Sequence, residues 1–164
     1  MDFIHRYASP LGGITLASDG NALTGLWFDG QKYFGSTLDR EYAVKQLPVF
    51  MEADRWLDLY FSGREPDFTP ELSLRATAFR TAVWHMLLSV PYGRTVTYGQ
   101  LANRLARGSG RERISARAVG AAVARNPVSL IIPCHRVIGA NGNLTGYAAG
   151  IDRKLELLRL EQAL

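Results

Sequence analysis

Short runs rich in apolar, β-branched and aromatic residues open the chain, at 3–7, 14–17 and 23–28, and each reads as a β-strand. Asp19 and Gly20, between the last two, carry the chemistry of a tight hairpin turn. The period then lengthens. Phe50, Ala53, Leu57 and Tyr60 recur at i+3 and i+4, which predicts a helix that Gly63 is placed to end. Residues 65–70 hold two prolines and read as a linker. Beyond them a second stripe, Phe79, Val83, Met86, Leu87 and Val90, predicts a helix over 78–89. Thr77 can cap it, and the Pro-Tyr-Gly at 91–93 stops it.

Thr97 followed by Gln100 matches a capping box, so a short helix is expected over 98–105. A polar, glycine-bearing loop follows at 107–113, and Ser115 can cap a second short helix over 116–124. Two short helices joined by a turn make a candidate helix-turn-helix, although many such hairpins bind nothing. The second helix carries one long polar side chain, Arg117, among Ala116, Ala118, Gly120 and Ala121. Such small residues allow either close packing in a core or close approach to a sugar-phosphate surface; they cannot read base edges. Asn126 and Pro127 break the helix, and 128–132 reads as a short buried strand ended by Pro133. A last helix, with Asp152 as its expected cap, runs through Leu155, Leu157, Leu158 and Leu160, and Glu161 stacks over Leu157 and Leu158.

The chain of 164 residues has 47% apolar and 21% charged residues, as a globular protein does, with room for one core or two small lobes. Its single cysteine excludes an internal disulfide and a cysteine-rich zinc site. Apolar runs are too short for a bilayer, and the first residues show no signal-peptide pattern. A reducing, cytoplasmic setting is expected, nuclear if the source is eukaryotic, with no membrane contact. Net charge of +4 hides a division: residues 1–73 carry six Lys and Arg against eleven Asp and Glu, and 74–164 carry thirteen against four. Twelve of those thirteen are arginine, which suits a polyanionic partner.

The single cysteine, Cys134, follows an apolar run and precedes His135 and Arg136. A lone cysteine is commonly a small buried hydrophobe. A neighbouring base and a fixed cation can instead make it a nucleophile. Neighbours on a regular strand point to opposite faces, so His135 serves Cys134 only if the chain bends or a water bridges them. A Glu161 carboxylate beside His135 would fix the ring tautomer and favour its charged form, and hence the thiolate. The first lobe gathers no titratable groups at catalytic spacing; His5 and Asp19 read as surface residues, and the lobe as structural.

The Pro-Cys-His-Arg-Val-Ile at 133–138, with Arg-Ala-Val-Gly-Ala at 117–121 and Asn126 and Pro127 between, resembles the O6-alkylguanine-DNA alkyltransferases, or methylated-DNA–protein-cysteine methyltransferases. The resemblance implies an α/β (α+β) fold. Residues 1–73 would form a ribonuclease-H-like lobe with an antiparallel sheet, and 74–164 a mostly helical DNA-binding lobe with the helix-turn-helix. It implies that Cys134 accepts the alkyl group permanently, with His135 as water-linked base, Glu161 as its orienter and Asn126 as the tie to the recognition helix. Tyr98 would assist the departing guanine O6, Arg117 would enter the base stack, and Tyr147 and Ala148 would line the substrate pocket. The partner implied is double-stranded DNA with alkylated bases, met through the minor groove by Ala116, Arg117, Ala118, Gly120 and Ala121 of a monomer, with no cofactor and no metal. O6-alkylguanine is the expected substrate, with O4-alkylthymine a further candidate. Ala148 stands where many relatives have serine, and the 107–113 loop is longer and more basic than the family's turn. The competing readings are a non-catalytic lesion sensor, against which Cys134 argues, and a Cys-His hydrolase, whose base usually lies far from its cysteine in sequence.

Overall fold

The computed structural model describes all residues, Met1–Leu164. The chain divides into two units, Met1–Arg75 with Pro127–Ser129, and Ala76–Asn126 with Leu130–Leu164.

The first unit is a four-stranded sheet and a helix. Strands β1 (Asp2–Ser9), β2 (Gly12–Ser18), β3 (Leu23–Phe28) and β4 (Tyr42–Val44) lie in the order β3-β2-β1-β4. The first three are antiparallel neighbours, but β4 pairs parallel to β1, so the sheet is mixed rather than wholly antiparallel. The long crossover from Phe28 to Tyr42 brings β4 back in the same direction as β1. All six residues of β3 are buried. Its outer edge is occupied: Leu23 donates to Glu71 O at 2.8 Å, and Leu26 to Pro127 O at 2.8 Å. Trp27 lies flat against its own strand, and a Cβ at Gly25 would stand 2.0 Å from its ring, so only glycine fits there. Helix α1 (Pro48–Phe61) buries Val49, Phe50, Ala53, Trp56, Leu57 and Tyr60. It ends in a Schellman turn, with Gly63 at φ 87° and Arg64 N–H on Leu59 O at 3.1 Å. Asp19 is exposed and caps its own four-residue turn. His5 is not a surface residue: it stacks on Phe50, and its Nε2 lies 2.9 Å from Asp54.

The second unit is mostly helical. Helix α2 (Ala78–Leu88) is capped by Thr77, and α3 (Tyr98–Ser109) by a complete capping box of Thr97 and Gln100. Helix α3 is a turn longer than the apolar pattern suggests, because Leu105 and Ala106 are both buried and carry the helix through Arg107 and Gly108 to a left-handed Gly110. Helix α4 (Ala116–Ala124), capped by Ser115, buries Val119, Ala122 and Val123. Trp84 Nε1 donates to Ala122 O at 2.9 Å and so fixes α4 on α2. The small residues therefore divide: Ala122 packs inward, while Ala116, Ala118 and Ala121 stay exposed beside Arg117.

Residues 128–132 form a buried turn, not a strand, with Leu130 in left-handed backbone at φ 71°. Ile132 O accepts from both Asn126 Nδ2 and Cys134 N–H at 2.8 Å, which holds that turn closed. Strand β5 (Val96–Thr97) pairs parallel with β6 (Val137–Ile138). Helix α5 (Ile151–Leu160) starts one residue before Asp152, which sits in the first turn and caps nothing; Gly150 occupies the cap position at φ 99°. At its other end Gln162 takes the left-handed position at φ 58°, and Ala163 N–H returns to Leu158 O at 2.8 Å, a Schellman turn without glycine. That turn fixes Glu161 as the last helical cap. Left-handed backbone costs a non-glycine residue about 1 kcal/mol. Gln162→Gly is therefore expected to stabilise the protein by up to about 1 kcal/mol, read as a higher urea midpoint.

Candidate active site

Proline 133 ends the buried turn, and Cys134–Arg136 form a single 3-10 turn instead of a strand edge. The bend removes the strand geometry that would send Cys134 and His135 to opposite faces. All three residues are buried, with 5% of Cys134 exposed. Strand β6 follows at once and anchors the turn to β5.

Glu161 organises the site. Its Oε2 lies 2.5 Å from His135 Nε2, and its Oε1 accepts from Arg136 Nε at 2.8 Å and from the Gly93 N–H at 3.0 Å. Gly93 has φ 77°, and a Cβ there would crowd Glu161 O at 3.2 Å, so the glycine lets the two backbones approach. Arg136 also donates to Val90 O at 2.8 Å. A carboxylate at a helix C-terminus meets an unfavourable dipole, and these donors offset it. Burial raises the Glu161 pKa, but the His135 hydrogen bond and then the Arg136 guanidinium more than reverse this and hold it at about 2.

Burial lowers the pKa of His135, against the pull of Glu161. Desolvation outweighs the pull of the carboxylate, so enclosure disfavours the charged ring that the sequence suggests. A neutral ring that donates from Nε2 to Glu161 keeps its lone pair on Nδ1 and is a base. Burial acts on Cys134 in the same sense. Burial pushes its thiol up, with the Asn126 side chain and the Lys154 ammonium pulling the other way. Both shifts favour the uncharged thiol and imidazole over an ion pair in the closed site.

Lys154 is the cation that sequence reasoning passed over. It is fully buried, and its Nζ donates to Val137 O at 2.5 Å, Gly146 O at 3.2 Å and Thr145 O at 3.3 Å. One ammonium thus fastens the 145–146 loop to β6, and its charge opposes the rise that burial imposes on Cys134. Burial brings its pKa down to about 8, and a Cys134 thiolate would raise it. A signal existed in the sequence. Lys154 precedes Leu157, Leu158 and Glu161 at i+3, i+4 and i+7, so it lies on the buried stripe.

Tyr98, at the start of α3, donates from its hydroxyl to Thr145 O at 3.2 Å. Burial raises its pKa, as would an ionised Cys134, and both act on Tyr147 in the same order and more strongly. The Tyr147 hydroxyl is buried and has no hydrogen-bond partner, so it is an open donor. A cavity of about 420 Å³ lies outside, lined by Tyr98, Ala116, Arg117, Gly120, Thr145 and Gly146. Ala118 and Ala121 lie elsewhere on the exposed surface of α4, and half-buried Ala148 brings no polar group. No cluster of three His, Cys, Asp or Glu residues could hold a metal ion.

Residues 78–163 match the 6-O-methylguanine DNA methyltransferase DNA-binding domain, and residues 3–74 match the ribonuclease-like domain of the same proteins. The chain belongs to the 6-O-methylguanine DNA methyltransferase family. It is 44% identical over 154 residues to the methylated-DNA–protein-cysteine methyltransferase of Mycobacterium leprae, covering 94% of this chain and 88% of the relative. The O6-methylguanine methyltransferase of Mycobacterium tuberculosis superposes with a TM-score of 0.85 at 42% identity, over 99% of this chain and 94% of that one. A second structure of the M. tuberculosis protein, in complex with DNA, matches with a TM-score of 0.85 at 41% identity, over 98% and 93% of the two chains. The α+β architecture with a ribonuclease-like N-terminal domain is thus the family's. No helix is long and apolar enough to cross a membrane.

Two variants test the electrostatics. Glu161 has a depressed pKa, so its contribution is complete above the ordinary value of 4.5 and is lost as pH falls toward about 2. Glu161→Gln should cost about 3 kcal/mol near neutrality and lose this acid-side dependence. Urea unfolding across pH measures both, and parallel curves for parent and variant would exclude the role. Lys154→Met should move the Cys134 alkylation-rate profile to higher pH with a small haloacetamide; an unmoved midpoint would show that its charge does not reach the sulfur.

Proposed function

We propose that this protein repairs DNA by moving an alkyl group, typically methyl, from O6 of guanine to Sγ of its own Cys134. The observation that carries the reading is a buried thiol followed at once by a buried histidine bonded to Glu161, in a chain of this family. Residues 74–164 carry the chemistry and the DNA contact, and residues 1–73 serve as scaffold. The DNA complex of the M. tuberculosis relative supports the choice of partner.

Proton transfer comes first. The thiol proton passes to His135 Nδ1, directly or through a water, and Glu161 and Lys154 stabilise the resulting imidazolium–thiolate pair. Sulfur then forms the S–C bond as the C–O6 bond breaks. The bonding electron pair stays on the guanine, which takes a proton from the Tyr98 hydroxyl, and the His135 imidazolium returns a proton to that phenol through solvent. The net proton path runs from thiol to purine, and no cofactor enters the balance. The thioether has nothing to reverse it, so each molecule turns over once.

The target atom lies within a base pair, so the nucleotide must leave the stack at a cost of a few kcal/mol. Arg117 offsets this by filling the gap, while Ala116, Ala118, Gly120 and Ala121 let α4 approach the minor groove closely. The extruded base enters the cavity at Tyr98 and Gly146, where the open Tyr147 hydroxyl can meet it. A free thiol used as a reagent suits a reducing compartment such as the cytoplasm.

Incubation with O6-methylguanine duplex should add the mass of one methyl group to the Cys134 peptide. Cys134→Ala should bind the same duplex and gain nothing. Intact-protein mass spectrometry reads the outcome, and an unmodified parent protein overturns the proposal.

A further inference from the structure

The connection between α3 and α4 carries charge that the chain itself does not use. The extra turn of α3 places Arg104 and Arg107 at i and i+3, both exposed. Gly110 then turns the chain in left-handed backbone, and Arg111 and Arg113 follow on the exposed connection. Glu112 is the one carboxylate among these four arginines, which leaves a net charge of +3 over residues 104–113. Arg117 extends the row onto α4.

None of the four guanidinium groups meets a carboxylate of the chain, whereas Arg75 is bound to Asp2 and Arg136 to Glu161. Like charges crowded on a surface repel unless an external anion answers them. A recess of about 400 Å³ lies among Asn103, Ala106, Arg107, Arg111 and Glu112. Its donors are two guanidinium groups and a carboxamide, a set that binds phosphate oxygens, with Glu112 moderating the charge.

We infer that this arginine ridge binds the phosphodiester backbone of the duplex outside the stretch that α4 covers. It lengthens the footprint along one flank and adds affinity without reading sequence. The inference rests on the proposal that α4 faces DNA. It concerns a different group of residues from the alkyl-transfer site.

The test uses the full protein with Arg104, Arg107, Arg111 and Arg113 all changed to glutamine, and a second version with all four changed to lysine. Binding is measured against salt on two undamaged duplexes, one no longer than the α4 footprint and one extended by a helical turn on each flank. On the extended duplex the glutamine version should bind on the order of tenfold more weakly, with a logarithmic salt slope shallower by about two to three, roughly 0.9 per lost phosphate contact. On the short duplex it should match the parent, and the lysine version should retain the slope on both. Alkyl transfer from free O6-alkylguanine should be unchanged, which reports an intact fold and sulfur. A parent-like slope on the extended duplex overturns the inference, as does an equal loss on both duplexes. If the parent takes no alkyl group while the slopes still differ, the repair proposal fails and the ridge stands.

Discussion

The Glu161 carboxylate is the contact on which the second unit's buried polar network depends. It sits at the end of α5, yet it receives donors from the 91–93 turn and from the 3-10 turn at 134–136. One side chain thus joins three segments that are far apart in sequence. The arrangement is costly in isolation, because a buried anion at a helix C-terminus loses water and meets the wrong end of a dipole. It holds because a guanidinium, an imidazole N–H and a backbone N–H answer it together. Removing any one donor leaves the others to carry an incompletely paired charge.

Two buried cations divide the work around the sulfur. Arg136 is paired with Glu161, so its charge is spent on architecture. Lys154 has only carbonyl partners, so its charge is not cancelled locally and is available to a developing thiolate. The same three carbonyls tie the loop carrying Tyr147 to β6. Geometry and electrostatics are therefore set by one residue, and the loop cannot drift without moving the charge.

Much of this was legible in the sequence, for identifiable reasons. Helix caps at Thr77, Thr97 and Ser115 could be read because their chemistry is local. The inward carboxylate of Glu161 followed from helical spacing over two leucines. Residues 128–132 misled, because a short buried apolar run looks the same as strand or turn until its hydrogen-bond partners are known. The extra turn of α3 was hidden by Gly108, a weak helix former held in place by buried neighbours. Protonation states were the least legible. Spacing reveals that His135 can meet a carboxylate, but whether desolvation or attraction wins depends on how completely the pair is enclosed.

That enclosure has a consequence for how long the protein remains useful. A cysteine that serves as an alkyl acceptor is wasted by every oxidant or stray electrophile that reaches it first. A sulfur with 5% exposure, whose ionisation burial disfavours, is a poor target for both, since peroxides and small alkylators prefer exposed anions. The burial that disfavours ionisation in the idle molecule therefore extends its shelf life.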